Sequence, residues 1–332
     1  MLGYSASSSQ PSVIPSKKRR LCVVALLDGR PGHEKQTKGL IQALQAQVEI
    51  ETREIVVVAV SPLAFLRQLV LLYLPGKGWS DPRIDDADLL LGTGSRTHLP
   101  LLLFKKRYAI PAVTCMSPAL LLRNRFDLCC VPEHDGLSER HNIMNTAGAP
   151  NLSRNKGGHQ EDCGMILLGG VDFKSHLWES GKIANMARQI IQRAPEKHWT
   201  ISSSPRTPQE TVHLMQGIAG GLANATFFDY KATQPGWIEA QYEKSHVVWV
   251  TSDSISMIYE ALTAGCKVGI LPLQWRRKNS KFKKNEDLVL KKGFVISFSS
   301  WDQGKASWRE SIELNEAQRC AERILQIWWP KN

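Results

Sequence analysis

The chain has 332 residues, enough for two domains of ordinary size. Apolar residues make up 42% of it and charged residues 22%, a composition that excludes a disordered chain. The net charge of +11 favours anionic partners such as nucleotides or anionic lipid headgroups. Because no block of Lys and Arg with interleaved aromatic residues occurs, we expect no nucleic-acid partner.

The sequence holds seven cysteines but no C-x-x-C pair and no Cys/His cluster at metal-ligand spacing. Most of them lie in predicted strands. We therefore expect buried thiols in a reducing compartment and no metal site.

The first 20 residues form a tail rich in Ser and Pro that ends in Lys-Lys-Arg-Arg. This cluster and the apolar run at residues 21–27 imitate a signal peptide. The run is short, however, and meets Asp28 and Gly29 instead of a small-residue cleavage site. An organelle presequence fits residues 1–20 better than a signal peptide does. We favour a third interpretation, a disordered basic tail at residues 1–20 on a cytoplasmic protein.

Residues 21–27 are continuously apolar, as expected of a strand buried on both faces of a parallel sheet. The loop that follows contains Asp28, Gly32 and His33 and leads into a helix with regular apolar spacing. Open α/β sheets bind ligands at such loops, although the glycine spacing here is not that of a dinucleotide fingerprint. His33 either caps the helix or points into a cleft as a proton acceptor.

The strand predicted at residues 48–60 leads to a helix at residues 62–73 that is apolar on nearly every side. Such a helix is either deeply buried or dips into a membrane surface. Arg67 lies within it, and Lys77 and Trp79 follow, as they would flank an interfacial segment. The sequence is consistent with both interpretations.

A strand predicted at residues 88–92 runs into a second Gly/Ser loop, where Gly94 and Ser95 precede a helix at residues 99–104. We place Gly94 and Ser95, together with Gly32, on one side of a predicted ligand cleft, because the carboxyl ends of parallel strands share an edge.

Strands predicted at residues 111–116 and 126–131 come next, and Glu133, His134 and Asp135 follow the second of them. Titratable residues just past the carboxyl end of a parallel strand are typical of a ligand site. The same cluster is equally typical of a solvated turn.

Residues 138–162 are polar, rich in Gly and Asn, and without periodicity, so we interpret them as the connection between two domains. The α/β pattern then starts again. We predict a first domain at residues 21–150, a second at residues 160–300 and a final helical segment at residues 301–332. Further strands are predicted at residues 165–168, 199–202, 226–230 and 294–298. Further helices are predicted at residues 180–193, 209–222 and 315–329.

In the second half, one predicted strand ends in Gly169 and Gly170, and the next is followed by Arg206 and Thr207. A guanidinium beside hydroxyl groups suits phosphate binding, because it bonds phosphate oxygens in pairs. Arg206 is otherwise a surface arginine.

Residues 247–271 have the pattern of a strand, a polar turn, a helix and a strand, which is one βαβ unit. The turn places Asp253, Ser254 and Ser256 at a helix N-terminus, where free N–H groups favour a phosphate. Glu260, nearly two turns on, can face the same side and bind a sugar hydroxyl. Alternatively, Ser254 is an ordinary cap and Glu260 a solvated residue.

Five segments occur in the order of a known family: DGRPGHEKQTKGL at 28–40, VPEHD at 131–135, LLGG at 167–170, SPRTP at 204–208 and VTSDSISMIYEALTAGCKV at 250–268. By these motifs the chain resembles the mitochondrial-fission family, named for a plant elongated-mitochondria protein and populated largely by bacterial members. The resemblance covers residues 21–298.

That family is similar to GT-B glycosyltransferases such as the peptidoglycan N-acetylglucosamine transferase. The resemblance implies an α/β fold of two Rossmann-like domains facing a cleft. It also implies a nucleotide-sugar in the second domain, an acceptor in the first, and a final helix that crosses back to the first domain. A glutamate on a helix of the second domain commonly binds the donor ribose in GT-B enzymes, and Glu260 occupies the matching place.

We therefore predict transfer of a sugar from an NDP-sugar to a glycolipid or cell-envelope polysaccharide acceptor, as in lipopolysaccharide assembly. The reaction would take place at an anionic membrane surface on the cytoplasmic side, with no cofactor. His33 is the first candidate for the general base, Asp28 orients or replaces it, and Glu133 is the third candidate. Arg206 and helix N-termini would stabilise the diphosphate without a metal. The alternatives are an NDP-sugar epimerase and a non-catalytic adaptor for membrane or organelle division.

Overall fold

The computed structural model describes residues 20–76, 78–277, 279–308 and 313–330. These residues form two six-stranded parallel sheets with helices packed on both faces. The predicted α/β class with two Rossmann-like domains is confirmed. Of the tail predicted at residues 1–20, all but Arg20 lies outside the described residues, and so does Lys77.

The strands of the first sheet are β1 (Leu21–Leu27), β2 (Ile50–Val56), β3 (Leu89–Gly92), β4 (Ala112–Thr114), β5 (Leu128–Pro132) and β6 (Ile143–Thr146). They are arranged in the order β2-β1-β3-β4-β5-β6. The second sheet consists of β7 (Gln160–Leu167), β9 (His198–Ser202), β10 (Ala225–Phe228), β11 (Ser245–Thr251), β12 (Lys267–Leu271) and β14 (Val295–Ser297). Its order is β10-β9-β7-β11-β12-β14, and β8 (His176–Leu177) forms a separate antiparallel pair with β13 (Gln274–Trp275).

The helices alternate with the strands along the chain. Those of the first half are α1 (Pro31–Gln45), α2 (Pro62–Tyr73), α3 (Ser95–Tyr108) and α4 (Leu120–Arg123). Those of the second half are α5 (Ser180–Arg193), α6 (Gln209–Gly221), α7 (Trp237–Lys244), α8 (Ile255–Thr263), α9 (Lys281–Lys291), α10 (Phe298–Asp302) and α11 (Glu316–Trp328). No helix in the described part of the chain is long and apolar enough to cross a membrane.

The central strand β1 is buried along its whole length because successive side chains enter two different cores. Val23 and Ala25 belong to one core, and Val24 and Leu26 belong to the other. Since β1 pairs in parallel with β3, the loops that follow these two strands meet at one edge of the sheet. The parallel neighbours β7 and β11 bring two loops together in the same way in the second sheet.

The last helix, α11, packs against α1 and so returns the chain from the second sheet to the first. Ala321 and Ile324 of α11 share a core with Leu40 and Leu44 of α1. The apolar residues of α11 recur at helical spacing, and this contact buries the face that they form.

Side chains also join the two halves directly. Lys35 of α1 lies 3.1 Å from a carboxylate oxygen of Glu239 in α7. At another point of the boundary, Lys292 lies 2.6 Å from Glu133, in the turn after β5.

The interpretation of residues 138–162 as a connection was wrong in part, because β6 and the start of β7 lie in this stretch. β6 is an edge strand of few residues, too short to show a period. Its approach is fixed by the Asn142 side-chain amide, which donates to the carbonyl groups of Arg123 and Phe126. These contacts are tertiary, so no local pattern predicts them.

Two helices also differ from the prediction. α7 was not predicted, and α3 begins at Ser95 instead of residue 99. Pro100 therefore lies inside α3 and not in its first turn, where a proline is most favourable.

Candidate functional site

The loop after β1 holds the first candidate group, Asp28, in a buried position. One carboxylate oxygen, Oδ1, accepts a hydrogen bond from the backbone N–H of Arg30 at 3.2 Å. The other, Oδ2, lies 2.8 Å from Nδ1 of His33 in the first turn of α1. The five-residue spacing places the two side chains together because the chain turns directly from β1 into α1.

This contact fixes the proton on the imidazole ring. An ionised carboxylate can only accept hydrogen bonds, so Nδ1 of His33 carries the hydrogen and donates it to Asp28. Nε2 is then left with a lone pair that can take a proton. The His33 side chain is 22% exposed, whereas the Asp28 side chain is fully buried. The pair therefore presents a proton acceptor to solvent with its orienting carboxylate behind it.

Gly94, in the loop after β3, is pressed against this pair. Its φ of +107° lies in the region that favours glycine. A Cβ at this position would overlap Nδ1 of His33 and lie 2.5 Å from Oδ2 of Asp28. The hydroxyl of Thr97 donates to the Gly94 carbonyl at 2.8 Å, which holds the loop in place. A residue other than glycine would separate His33 from Asp28.

His98, which was not predicted as a site residue, lies in α3 just beyond this loop. His98 is buried, and Nε2 lies 3.4 Å from the hydroxyl of Thr114. Burial, with a smaller contribution from the neighbouring His33, lowers the pKa of His98 to about 4. A histidine four residues after the glycine of a Gly/Ser loop at a strand end was the sequence feature that could have identified it.

The other residues predicted for this half lie apart from the pair or beside it. Gly32 is in the first turn of α1 with open space around it, and Ser95 is the exposed first residue of α3. Glu133 forms an ion pair with Lys292, and no contact joins it to His33 among the described residues. Of the three candidates for a base, the structure therefore brings Asp28 and His33 together and leaves Glu133 elsewhere.

In the second sheet, Asp253 follows β11 and is fully buried. Its Oδ2 accepts hydrogen bonds from the backbone N–H of Gly170 at 3.1 Å and from the Arg206 guanidinium at 2.8 Å. The hydroxyl of Ser254 lies 3.4 Å from the same oxygen. Within the described part of the chain Oδ1 of Asp253 has no hydrogen-bond partner, although it too is buried.

Gly169 and Gly170 let three loops come together around this carboxylate. A Cβ on Gly169 would overlap the carboxylate of Asp253, and one on Gly170 would overlap the backbone carbonyl of Arg206. Thr207 uses its hydroxyl within the loop, where it donates to the carbonyl of Gly169 at 2.5 Å. Arg206 also donates to the carbonyl of Gly170 at 3.3 Å, and its side chain remains 46% exposed.

The turn from Asp253 into α8 leaves the helix N-terminus open. Ser254 is the residue before the helix, and no side chain caps it. Ser256, in the first turn, is exposed. The interpretation of Ser254 as an ordinary side-chain cap is therefore wrong, and the N–H groups of this turn can bind an anion.

Glu260, further along α8, is buried at the boundary between the two halves, and so it is not a solvated residue. Burial raises the pKa of Glu260, although the charge of Lys35 opposes the shift. Nζ of Lys35 lies 3.8 Å from Oε1 of Glu260 and 3.1 Å from Oε1 of Glu239. Burial alone would lower the pKa of Lys35, but these two carboxylates raise it on balance, so Lys35 stays a cation.

The predicted residues thus form two clusters, one at the carboxyl edge of each sheet. α1 links the two clusters. It carries His33 of the first cluster, and it also carries Lys35, which contacts Glu260 on α8, the helix that starts at the second cluster. No group of three or more His, Cys, Asp or Glu side chains suited to holding a metal ion occurs in the described ranges.

Comparison with known proteins identifies both the family and the fold. The family model described as "Mitochondrial fission ELM1" matches residues 31–328. The chain is similar to the UDP-GlcNAc 2-epimerase from Methanocaldococcus jannaschii, with a TM-score of 0.54, 14% identity, and coverage of 92% of this chain and 100% of that one. The comparison with curated proteins found no match.

Two further solved structures have the same architecture. The UDP-GlcNAc 2-epimerase from Neisseria meningitidis, bound to UDP-GlcNAc, has a TM-score of 0.51 at 13% identity, over 92% of this chain and all of that chain. A UDP-glucosyltransferase from Polygonum tinctorium has a TM-score of 0.51 at 10% identity, over 95% of this chain and all of that chain. At these identities the likeness establishes the GT-B fold.

Proposed function

The chain belongs to the mitochondrial fission ELM1 family, and we propose that it is a glycosyltransferase that moves a sugar from an NDP-sugar to an acceptor hydroxyl. The observation that carries this proposal is the His33–Asp28 pair, a partly exposed proton acceptor oriented by a buried carboxylate. It lies at the edge of one sheet, while an anion-binding helix N-terminus lies at the same edge of the other. A base at one sheet and a site for an anion at the other suit a reaction between an acceptor and a charged donor.

The base acts on the acceptor. Nε2 of His33 takes the hydroxyl proton as the acceptor oxygen bonds to the anomeric carbon of the sugar. Asp28 stabilises the imidazolium that forms, because its Oδ2 already accepts the hydrogen on Nδ1. The bond between the anomeric carbon and the diphosphate oxygen breaks, and its electron pair leaves with the diphosphate.

The second cluster acts on the donor. The backbone N–H groups at the start of α8 and the guanidinium of Arg206 would stabilise the charge that develops on the diphosphate, with no metal required. Glu260 would accept hydrogen bonds from the donor ribose. Because Arg206 is paired with Asp253 and Glu260 with Lys35, donor binding would exchange these contacts for contacts with the ligand.

We further propose that the acceptor is a glycolipid or cell-envelope polysaccharide precursor, as in lipopolysaccharide assembly, at the cytoplasmic face of an anionic membrane. The support is α2, in which Gln68 and Leu72 are the only buried residues of a fully described helix. Its apolar residues point outward instead, at positions that include Leu63, Leu66 and Val70. This inverted pattern suits a helix that lies in a membrane surface.

Cationic side chains lie on α2 and near its end. Arg67 is exposed on α2, and Arg125 stacks on the ring of Tyr73 at 4.0 Å. Lys106 donates to the carbonyl of Leu71 at the end of α2. Anionic headgroups would complement these charges.

A screen of thermal stability against UDP-, GDP-, ADP- and CMP-sugars tests the donor site. A donor present at 100 times its Kd should add about 2.7 kcal/mol to the free energy of unfolding. The stabilising sugar nucleotide is then incubated with lipid extracts and the transfer followed by mass spectrometry, with and without EDTA. A new sugar formed without an acceptor would indicate an epimerase instead, and no stabilisation by any sugar nucleotide would favour the adaptor.

Vesicle sedimentation tests the membrane site. The chain should bind vesicles containing phosphatidylglycerol and not vesicles of phosphatidylcholine alone. Leu63→Asp should weaken this binding, whereas Phe173→Asp should not, since Phe173 lies in the second half of the chain. The two side chains are equally suited to substitution, because they are 77% and 81% exposed. Equal loss in both variants would contradict a membrane contact through α2.

A further inference from the structure

An apolar groove opens beside the first cluster. The connection from β2 to α2, residues 57–60, forms one wall, and α3 forms the other. Phe65 of α2 and the rings of Trp79 and Phe104, which meet edge to face at 5.9 Å, complete the lining. The cavity has a volume of about 360 Å³, within the range of ligand pockets.

Both walls start next to the proton acceptor. The backbone N–H of Val57 donates to the carbonyl of Leu27 at 2.7 Å, and Leu27 is the residue before Asp28. On the other wall, Ser95 follows Gly94, the residue that contacts both His33 and Asp28. The end of the groove at Val57 and Ser95 is therefore next to Leu27, the neighbour of Asp28, and to Gly94, which contacts the pair.

The lining of the groove is mostly apolar. Gln68, Ser95 and Arg96 supply its polar side chains, and the others are aliphatic, aromatic or proline. Arg96 lies next to Ser95 at the end near His33 and is exposed, and no ion pair involves it among the described residues. The groove thus has a cationic end beside the base and an apolar remainder.

The volume sets the size of the occupant. A cavity of about 360 Å³ lies at the small end of the range of ligand pockets, and this size suits part of a single hydrocarbon chain. Its apolar lining is unfavourable for a polysaccharide strand, whose hydroxyl groups would lose hydrogen bonds to water against it.

We propose that the groove holds one hydrocarbon chain of the acceptor, with an anionic headgroup at Arg96 and the reacting hydroxyl beyond it at His33. The proposal rests on the proposed function in naming this ligand as the acceptor, and it selects a glycolipid over a polysaccharide. Phe65 belongs to the groove, and Leu63 and Leu66 of the same helix face outward. A chain can therefore pass from a bilayer under α2 into the groove without crossing water.

Fluorescence of cis-parinaric acid, a fatty acid that emits when its chain is shielded from water, measures the groove directly on the full chain without sugar nucleotide. Val58→Asp places a carboxylate in the groove and should weaken binding of the probe about tenfold or more, because an unpaired charge beside a buried chain is unfavourable. Leu63→Asp, on the outer face of α2, should leave the affinity unchanged. The two side chains are 71% and 77% exposed, so neither substitution should prevent folding.

Arg96→Gln examines the headgroup end. It should weaken binding of the acid and leave binding of the uncharged methyl ester unchanged, since only the acid carries a charge for Arg96. The proposal is overturned if the wild-type chain binds neither probe, or if Val58→Asp and Leu63→Asp affect the acid equally. Sugar transfer is measured separately. If the wild-type chain transfers no sugar but binds the probe, and Val58→Asp abolishes that binding, the proposed function is refuted and the groove is still supported as a binding site for a hydrocarbon chain.

Discussion

The two halves of the molecule use one arrangement with different partners. In each, an aspartate after a central strand is buried, and a glycine from the neighbouring strand's loop is pressed against it. Asp28 has Gly94 in the first sheet, and Asp253 has Gly169 in the second. In each, the carboxylate holds a partly exposed side chain at 2.8 Å.

The partner decides what each cluster can do. An imidazole such as that of His33 can accept a proton from a hydroxyl group, whereas a guanidinium such as that of Arg206 donates paired hydrogen bonds to anions. The first arrangement is therefore suited to chemistry on a hydroxyl, and the second to holding negative charge. We infer that a similar backbone frame supports a base in one half and a binding site in the other.

The largest effect should follow removal of the base. His33→Ala should lower kcat by about 10²–10⁴ because general base catalysis is lost. Donor affinity, measured by calorimetry, should stay near the wild-type value, since the proposed donor contacts lie in the other half. His213→Ala, an exposed histidine on α6, serves as the control. Normal turnover by His33→Ala would remove this residue from the mechanism.

A second effect belongs to the first half and concerns His98. Its pKa of about 4 in the folded chain lies below the ordinary value of 6.5, so the folded chain binds this proton less tightly than the unfolded chain. The stability that neutral His98 contributes is therefore fully present above pH 6.5 and is lost as the pH falls to about 4. The difference corresponds to roughly 3 kcal/mol in the free energy of unfolding.

Urea denaturation of the wild type and of His98→Gln at pH 7 and pH 4 measures this difference. The wild type should lose more stability than the variant between the two pH values. His213→Gln should keep the wild-type dependence, because His213 is exposed. An equal loss in wild type and His98→Gln would show that burial of His98 does not control this pH dependence.

A substitution of Gly94 tests whether its close contact with the His33–Asp28 pair is required for activity. Gly94→Ala should lower kcat by about 10², because displacement of a catalytic group by an ångström has that effect. Its control is Gly304→Ala, which also has a positive φ, +67°, but open space around it. Both variants should lose some stability through backbone strain, and only the first should lose activity. Equal activity in the two would show that close contact between Gly94 and the pair is not required.

Much of the fold was predictable from the sequence because long apolar elements carry their own pattern. The strand β1 and the helices α2 and α5 have the bounds that the sequence predicts. β6 is short, and its place is fixed by hydrogen bonds from Asn142, just before it, to the distant carbonyl groups of Arg123 and Phe126. α2 was located correctly, but whether it is buried depends on neighbours that no local period describes.

The candidate site was predictable to the same degree. Gly-rich loops and strand ends identified where Asp28, His33 and Asp253 lie, because topology alone brings such loops to one edge. The partners could not be predicted: Arg206 bonds a residue 47 positions away, and Lys35 reaches Glu260 across the domain boundary. The roles of these residues stay predictions.

The smallest effect is expected at the arginine of the second half. Arg206→Met should raise the Kd of the stabilising sugar nucleotide about tenfold through loss of charge-assisted hydrogen bonds to phosphate. Arg193→Met is the matched control, since Arg193 also pairs with an aspartate, Asp302, and is 48% exposed against 46% for Arg206.

A double variant separates two causes of this loss. Without Arg206, the charge of Asp253 is no longer neutralised and would itself repel a diphosphate. If repulsion dominates, adding Asp253→Asn to Arg206→Met should restore most of the donor affinity. If Arg206 contacts the phosphate directly, the donor affinity should stay low in the double variant, because that contact is still missing. Wild-type affinity in the single variant would contradict both and break the parallel between the two aspartates.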